Sequence, residues 1–276
     1  MIKDIVVSLS TGDGREVAGS YAVSVAEAFE AHVLAIAFAL EPVIPPTFMG
    51  GFPADLIEAQ RAEGEKSARG AITGFEQAAR RAGVSAQSHV FTTSLAGAAD
   101  TFGRIARRFD LCVVQQAEPD KVAPEDLIIE GALFESGRPV IVVPYIQRGG
   151  LKLDRVMLCW DGSRNAARAI ADSMPLLAKA KAVDVVIVAS EAPKSDELPG
   201  ADMAEHLARH GLKVDIKRIV SKETDVASTI LSHAADTSAD FIVMGGYGHS
   251  RLREFVLGGA TRGILGAMTV PVLMSH

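Results

Sequence analysis

Cysteine is scarce in this chain of 276 residues, which contains only two. Cys112 and Cys159 each lie inside an apolar run, "LCVV" and "VMLCW", and neither belongs to a CxxC arrangement. A metal or redox pair of cysteines is therefore disfavoured. We expect two small, buried hydrophobic side chains in a reducing compartment, which favours the cytoplasm.

Aromatic residues, basic clusters and long apolar runs are also missing. Because aromatic residues make up only 5% of the chain, the core must be built mainly from Val, Ile, Leu and Ala. Such a core is typical of parallel sheets buried on both faces. The net charge is −6 and no stretch is strongly basic, which argues against nucleic acid and anionic membrane surfaces as partners. No run approaches the roughly 18 apolar residues that span a bilayer. The start, "MIKDIVVSLS", is interpreted as a first strand, not as a signal peptide.

The chain contains an internal repeat. Each half alternates five strand-like apolar runs with four helix-like segments, and "FDLCVV" (109–114) is repeated as "ADFIVM" (239–244). Strands that alternate with helices predict an α/β fold, here two repeated five-stranded parallel-sheet domains with helices on both faces. We place the domains at 1–147 and 152–276, with Gly149 and Gly150 in the linker.

The segment 41–55 interrupts this pattern. The stretch "LEPVIPPTFMGGFPAD" (40–55) holds four prolines and two glycines, which predicts an irregular loop. It is either an ordinary connection or, through Phe48, Met49 and Phe52, a docking surface or a lid.

Glycines and short polar residues follow two strands of the second half. Asp161-Gly162-Ser163 comes after its first strand, and Gly245-Gly246-Tyr247-Gly248 after its fourth. We expect the next helix to run from about Leu252 to Leu265, with the run 258–261 one to three turns inside it. Ligands of open parallel sheets lie beyond the carboxyl ends of the strands, and glycines there let an anion approach backbone N–H groups. Tight turns without a ligand, with Asp161 or Ser163 capping a helix, would leave the same pattern.

The first half lacks these features. At the end of its fourth strand Gln115, Gln116, Ala117 and Glu118 replace the glycine run, and Ser10 stands at the position of Asp161. Glu118 would place a negative charge where a phosphate should lie. The sequence therefore predicts that a nucleotide, if bound, is bound by the second half.

The pattern G-x2-G-x9-G, formed by Gly245, Gly248 and Gly258, and the opening "CWDGSRNAARAI" (159–170) resemble the universal stress proteins. The whole chain is similar to a tandem universal stress protein. This resemblance implies a cytoplasmic, stress-related protein that is often dimeric and whose motif-bearing members bind ATP. It also implies pairing of the last strands of two domains, "VIVVPY" and "VPVLM", either within one chain or between two.

The resemblance implies roles for individual residues as well. The implied cofactor is ATP, with magnesium left open, and Asp161 would contact its adenine or ribose. The residues lining the nucleotide would be Met244, Gly245, Tyr247 and Gly248. Those closing over the phosphates would be Gly258, Gly259, Ala260 and Thr261. The sequence departs from the family at Gly259, where Ser or Thr is typical, and at Tyr247, where histidine is common.

A catalytic role finds little support in the sequence. Neither a G-x4-G-K-[ST] loop nor a G-x-S-x-G elbow occurs. His206 and His210 share a helix face, which is more simply a solvated face than a metal pair. His249, Arg251 and Arg253 either steady phosphate charge or form a solvated turn. We therefore expect a nucleotide-binding regulatory protein that is not an enzyme and holds no metal site. The alternatives are a structural or interaction module, and slow ATP hydrolysis or self-phosphorylation at Ser250 or Thr261.

Overall fold

The protein is described from a computed structural model, which covers residues 1–12, 15–42, 53–119, 124–189, 200–221, 225–246 and 259–276. Strands and helices alternate along these ranges. The elements of the first half are β1 (Asp4–Leu9), α1 (Ala18–Phe29), β2 (His32–Leu40), α2 (Ala54–Ala82), β3 (Ala86–Thr93), α3 (Leu95–Ala106), β4 (Leu111–Gln115), α4 (Glu125–Glu135) and β5 (Val140–Val143). Those of the second half are β6 (Arg155–Cys159), α5 (Arg164–Leu177), β7 (Ala182–Ala189), α6 (Ala201–Arg209), β8 (Val214–Val220), α7 (Val226–Asp236), β9 (Phe241–Gly245), α8 (Ala260–Ala267) and β10 (Val272–Ser275).

Local chemistry explains several of these boundaries. Gly83 ends α2 with a φ of 68°, a left-handed conformation that glycine adopts without strain. Helices α3, α5 and α7 begin at Ser94, Ser163 and Asp225, whose side chains accept hydrogen bonds from backbone N–H groups three residues later. None of the helices in the described ranges is long and apolar enough to cross a membrane.

The chain divides into two compact units, Met1–Arg138 and Pro139–His276. In the first unit the strand order is β3-β2-β1-β4, with parallel pairing. Right-handed crossovers place α1 and α2 on one face of this sheet and α3 and α4 on the other. The middle strand β1 is buried from Ile5 to Leu9, as a sheet covered on both faces requires.

In the second unit the order is β5-β10-β9-β6-β7-β8. The strands from β10 to β8 pair in parallel, whereas β5 pairs with β10 in antiparallel fashion, with Ile141 opposite Leu273. The last strands of the two halves therefore pair within one chain, one of the two arrangements that the sequence left open. The division into compact units places β5 in the second unit. The predicted boundaries at 147 and 152 stay predictions.

The predicted fold class is confirmed. Both halves alternate strands and helices, and the sheets are mostly parallel with a core of Val, Ile, Leu and Ala. Residues 43–52 of the proline- and glycine-rich loop lie outside the described residues, so its predicted roles stay predictions.

Candidate functional site

The carboxyl end of β6 leads into α5 through a tight turn. Asp161 Oδ1 accepts a hydrogen bond from the backbone N–H of Ser163 at 2.9 Å, and Ser163 Oγ accepts one from the N–H of Ala166 at 3.1 Å. Gly162 between them has a φ of 76°. The exposed Asp161 thus supports the helix start with one carboxylate oxygen. Its other oxygen, Oδ2, makes no hydrogen bond within the described ranges and can accept one from a ligand.

The carboxyl end of β9 lies directly against the start of α5. A Cβ atom built on Gly245 would lie 2.7 Å from the backbone nitrogen of Ala166 and 2.8 Å from the carbonyl carbon of Asn165. Any side chain at position 245 would therefore collide with backbone. The sequence left open whether these glycines make room for a phosphate or for protein, and at Gly245 protein fills the space.

Asn165 is a site residue that the sequence analysis missed. Its buried side chain donates through Nδ2 to the carbonyl oxygen of Gly246 at 2.7 Å. The backbone N–H of Gly246 donates in turn to the carbonyl oxygen of Ser275 at 2.8 Å. A usable signal was present: Asn165 lies four residues before the apolar Ala169 and so shares its buried helix face. This network fixes the β9 end between α5 and β10, with Met244 buried just before it.

Helix α8 begins at Ala260, with Gly259 as its N-cap at φ −68° and ψ 156°. This corrects the expectation that Gly259, Ala260 and Thr261 lie one to three turns inside a helix. Gly259 has extended backbone. The first N–H groups of α8 have no acceptor within the helix, as at every helix start. A Cβ atom on Gly259 would meet no described atom within 4 Å. Thr261 is buried, with 7% of its surface exposed.

Some predicted site residues lie in the stretch 247–258, outside the described residues, and their roles stay predictions. They are Tyr247, Gly248 and Gly258, together with His249, Ser250, Arg251 and Arg253. Among the residues that can be placed, the structure brings the Asp161 turn and the β9 end together at the start of α5, whereas Thr261 belongs to the start of α8.

Among the described residues at this edge, the Cys159 thiol has a shifted pKa. Burial, reinforced by the negative charge of Asp161, raises the pKa of the Cys159 thiol to about 12, so the thiol is neutral at physiological pH. Elsewhere in this unit the rings of His206 and His210 lie edge to face with centroids 4.9 Å apart, and both side chains are exposed. Within the described ranges no third metal-ligating side chain joins such a pair.

In the first unit, side chains of the unit itself close the corresponding strand ends. Ser10, the counterpart of the second unit's aspartate, donates to Oε1 of Glu125 at 2.7 Å. Glu125 lies in the first turn of α4 and is only 8% exposed. Gln115 accepts a hydrogen bond through Oε1 from the N–H of Val17 at 3.0 Å. Because a carboxylate already lies at the positive end of α4, an added phosphate would meet like charge there.

Fold and site together define a doubly wound α/β protein with its candidate ligand edge in the second unit. Strand β6 leads outward to β7, while its other neighbour, β9, is reached later in the chain. The strand order therefore changes direction between β6 and β9, and such switch points are where open α/β sheets bind ligands. Asp161 and the glycine-ended β9 flank that point.

Comparison with known proteins gives a family match for the second half of the chain. Residues 152–276 match the model of the universal stress protein family. Universal stress protein Slr1230 of Synechocystis sp. (strain ATCC 27184 / PCC 6803 / Kazusa) is 31% identical over 67 residues, which are 24% of this chain and 22% of that protein. The chain thus spans only about a fifth of that relative's length.

Solved structures show the same fold over nearly the whole chain. A universal stress protein from Archaeoglobus fulgidus DSM 4304 aligns with a TM-score of 0.71 at 15% identity, covering 99% of this chain and 95% of that one. A putative universal stress protein from Pseudomonas aeruginosa UCBPP-PA14 aligns with a TM-score of 0.62 at 15% identity, covering 99% and 93%. Residues 152–276 are a universal stress protein domain, and the protein consists of two halves with the fold of such domains. The resemblance predicted from the sequence is confirmed.

Proposed function

We propose that this protein is an adenine-nucleotide-binding regulatory protein of the stress response and holds ATP in its second unit. The observation that carries the proposal is the switch point between β6 and β9, where Asp161 keeps one carboxylate oxygen available. That oxygen would accept hydrogen bonds from the adenine amine or the ribose hydroxyls.

The start of α8 fits the phosphates. Its first N–H groups and the positive end of the helix dipole favour an anion. As far as the described residues go, Gly259 leaves open space in which a phosphate oxygen can approach the backbone. Magnesium is usually coordinated in part by substrate phosphates. The phosphates of ATP would therefore supply ligands to the magnesium ion.

We propose little or no turnover, because the sequence holds neither a Walker loop nor a nucleophile elbow. Thr261 is a poor phosphate acceptor because it is buried, which leaves Ser250 for self-phosphorylation. The cytoplasm remains the proposed compartment, since the two cysteines are free. The proposal also includes a homodimer, formed by two chains that each contain the pairing of β5 with β10.

A second candidate function is a structural or interaction module without a ligand. Two observations favour it: α5 fills the space beside Gly245, and Asp161 already supports a helix start. Both features would persist in a protein that had lost nucleotide binding.

Titration of the full chain with ATP, with and without magnesium, separates the two candidates. Isothermal calorimetry measures affinity and stoichiometry. The fluorescence of Trp160, the only tryptophan and the neighbour of Asp161, reports binding independently. Saturable binding supports the nucleotide function, whereas the lack of a signal at about millimolar ATP, a free energy of roughly −4 kcal/mol, supports the interaction module.

Two matched glycine variants locate the site. A Cβ atom on Gly259 or on Gly266 meets no described atom within 4 Å, so both Gly259→Val and Gly266→Val are accommodated. Gly259→Val should weaken ATP binding at least about tenfold, because the side chain occupies the path of the phosphates. Gly266→Val, farther along α8, should leave it unchanged. Gly248→Val tests the glycine run in the same way. Equal ATP affinities in all variants would contradict the phosphate assignment.

A further inference from the structure

A cleft of 470 Å³ opens in the first unit at the carboxyl ends of β2 and β3. Its strand side consists of Ala39, Leu40 and Thr92. Its helix side is the first part of α2, namely Ala54, Ile57, Glu58, Arg61, Ala62 and Glu65. The volume lies in the range of small-molecule sites. The carboxyl edge of parallel strands is also where α/β sheets bind ligands.

Arg61 lies on the stripe of α2 that faces the sheet. A Cβ atom on Gly64, three residues later, would lie only 3.6 Å from the carbonyl oxygen of Leu40. Ala68, seven residues after Arg61, is fully buried. Residues spaced by three, four and seven share one helix face. Arg61 itself is exposed and lies at the open, cleft end of this helix face.

The guanidinium of Arg61 has no partner among the described residues. It makes no hydrogen bond or ion pair with any residue in the described ranges. Glu65, one turn away, is instead within 3.9 Å of Arg69, on the far side from Arg61 along the helix. Five donors of a planar fork are thus available at the cleft.

The lining defines the chemistry of a ligand. Arg61 matches a planar oxyanion, and Thr92 offers a hydroxyl. The apolar side chains of Leu40 and Ile57 suit an apolar body. Glu58 and Glu65 flank the arginine, and they would repel a ligand with two or more negative charges more strongly than one with a single charge.

We infer that this cleft binds a small monocarboxylate with an apolar body, its carboxylate on Arg61 and its body against Leu40 and Ile57. This site lies in the first unit and is separate from the nucleotide edge of the second. It would give the first unit a ligand of its own.

The test titrates the full chain with hexanoate, followed by calorimetry and by saturation-transfer NMR. Hexanol is the uncharged counterpart, and inorganic phosphate is the anion without an apolar body. Hexanoate should bind with one site per chain and more tightly than either comparison compound. Arg61→Leu should weaken hexanoate binding about tenfold or more, the size expected for a lost charge-assisted hydrogen bond.

The matched control is Arg81→Leu, at an exposed position of the same helix outside the cleft lining, which should leave hexanoate affinity unchanged. Ala62→Phe, at an exposed position of the lining, should block the cleft and remove binding. Thermal unfolding confirms that each variant is folded. Equal affinity for hexanoate and hexanol, or equal losses in both arginine variants, would overturn the carboxylate assignment. Lack of saturable binding at about 20 mM hexanoate, far above millimolar affinity, would overturn the site. ATP titration of the same samples reports on the second unit alone, so the two proposals fail separately.

Discussion

At the scale of single residues, Glu16 is an acid held in an unusual state. Its Oε1 accepts a hydrogen bond from the backbone N–H of Gly19 at 2.7 Å, at the start of α1. A Cβ atom built on Gly19 would lie 3.0 Å from Oε2 of Glu16 and 3.3 Å from the ring of Phe75, so the carboxyl lies in an apolar setting. Burial raises the pKa of Glu16 to about 7, although backbone hydrogen bonds from Gly19 and Ala18 oppose the rise.

This pKa makes stability depend on pH. The folded protein binds the Glu16 proton more tightly than the unfolded chain, in which the pKa is 4.5. The contribution of Glu16 to stability is therefore fully present below pH 4.5 and is lost as the pH rises through about 7. At about pH 8, Glu16→Gln should have a higher free energy of unfolding than the parent, by at most about 3 kcal/mol, measured by urea unfolding. Its free energy of unfolding should also depend less on pH. The control is Glu27→Gln at an exposed position of α1; identical pH slopes in parent and Glu16→Gln would refute this prediction.

Arg218 carries two buried donor atoms without an acceptor among the described residues. It lies on β8 opposite Ile187 of β7. Its Nε and Nη2 atoms are shielded from solvent and donate to no acceptor in the described part of the chain. Since unpaired buried donors are unfavourable, Arg218→Met should raise the free energy of unfolding by about 1–3 kcal/mol, measured by urea unfolding. Lys217→Met, which removes a cation 3.8 Å from Asp215, is the control. A loss of stability in Arg218→Met would show instead that the guanidinium has a partner.

At the scale of elements, glycines set how closely helices approach. A Cβ atom on Gly131 of α4 would lie 2.6 Å from the carbonyl oxygen of Ala99 in α3. In the second unit, a Cβ atom on Gly263 of α8 would lie 2.6 Å from the Cβ atom of Ala227 in α7. The same helix pair is thus packed through a glycine in both halves, as expected of a repeated fold.

Gly131→Ala should therefore destabilise the protein by about 1–3 kcal/mol, because the added methyl group meets backbone that cannot move aside. Gly70→Ala in α2 is the matched control, since its Cβ would meet nothing within 4 Å. That control should gain about 0.5–1 kcal/mol from helix propensity. Chemical unfolding of the two variants measures the contrast, and equal stabilities would argue against the close contact of α3 with α4.

At the scale of the whole molecule, the two halves share a fold but differ at the ligand edge. The carboxylate of Glu125 lies at the start of α4 and bonds to Ser10. We therefore expect one ATP per chain in calorimetry, and Glu125→Gln should leave that number unchanged. Two ATP molecules per chain in the parent protein would show that the first unit also binds.

The strand pairing of β5 with β10 acts at the same scale. Edge strands expose unpaired backbone groups, and β10 has this edge covered by β5 of its own chain. A dimer, if the protein forms one, therefore needs a surface other than this edge of β10.

Much of the fold could be predicted because its signals are local. Gly83 ends α2, Ser163 begins α5, and the apolar runs of β1 and β9 are recognisable within a few residues. The start of α8 could not be predicted in this way. Leu252, Phe255 and Val256 before it have helical spacing. A helix expected from Leu252 therefore placed Gly259 inside a helix that begins at Ala260.

The sequence by itself determined the order of the elements and the repeat of the two halves, and it predicts which half carries the candidate ligand edge. Each follows from propensity or spacing within a short window. Only the tertiary structure decided that α5 fills the space beside Gly245, that Asn165 holds Gly246, and that Arg61 faces a cleft. The physical reason is distance along the chain. Asn165 and Gly246 are 81 residues apart, and which distant residues meet depends on how the whole core packs.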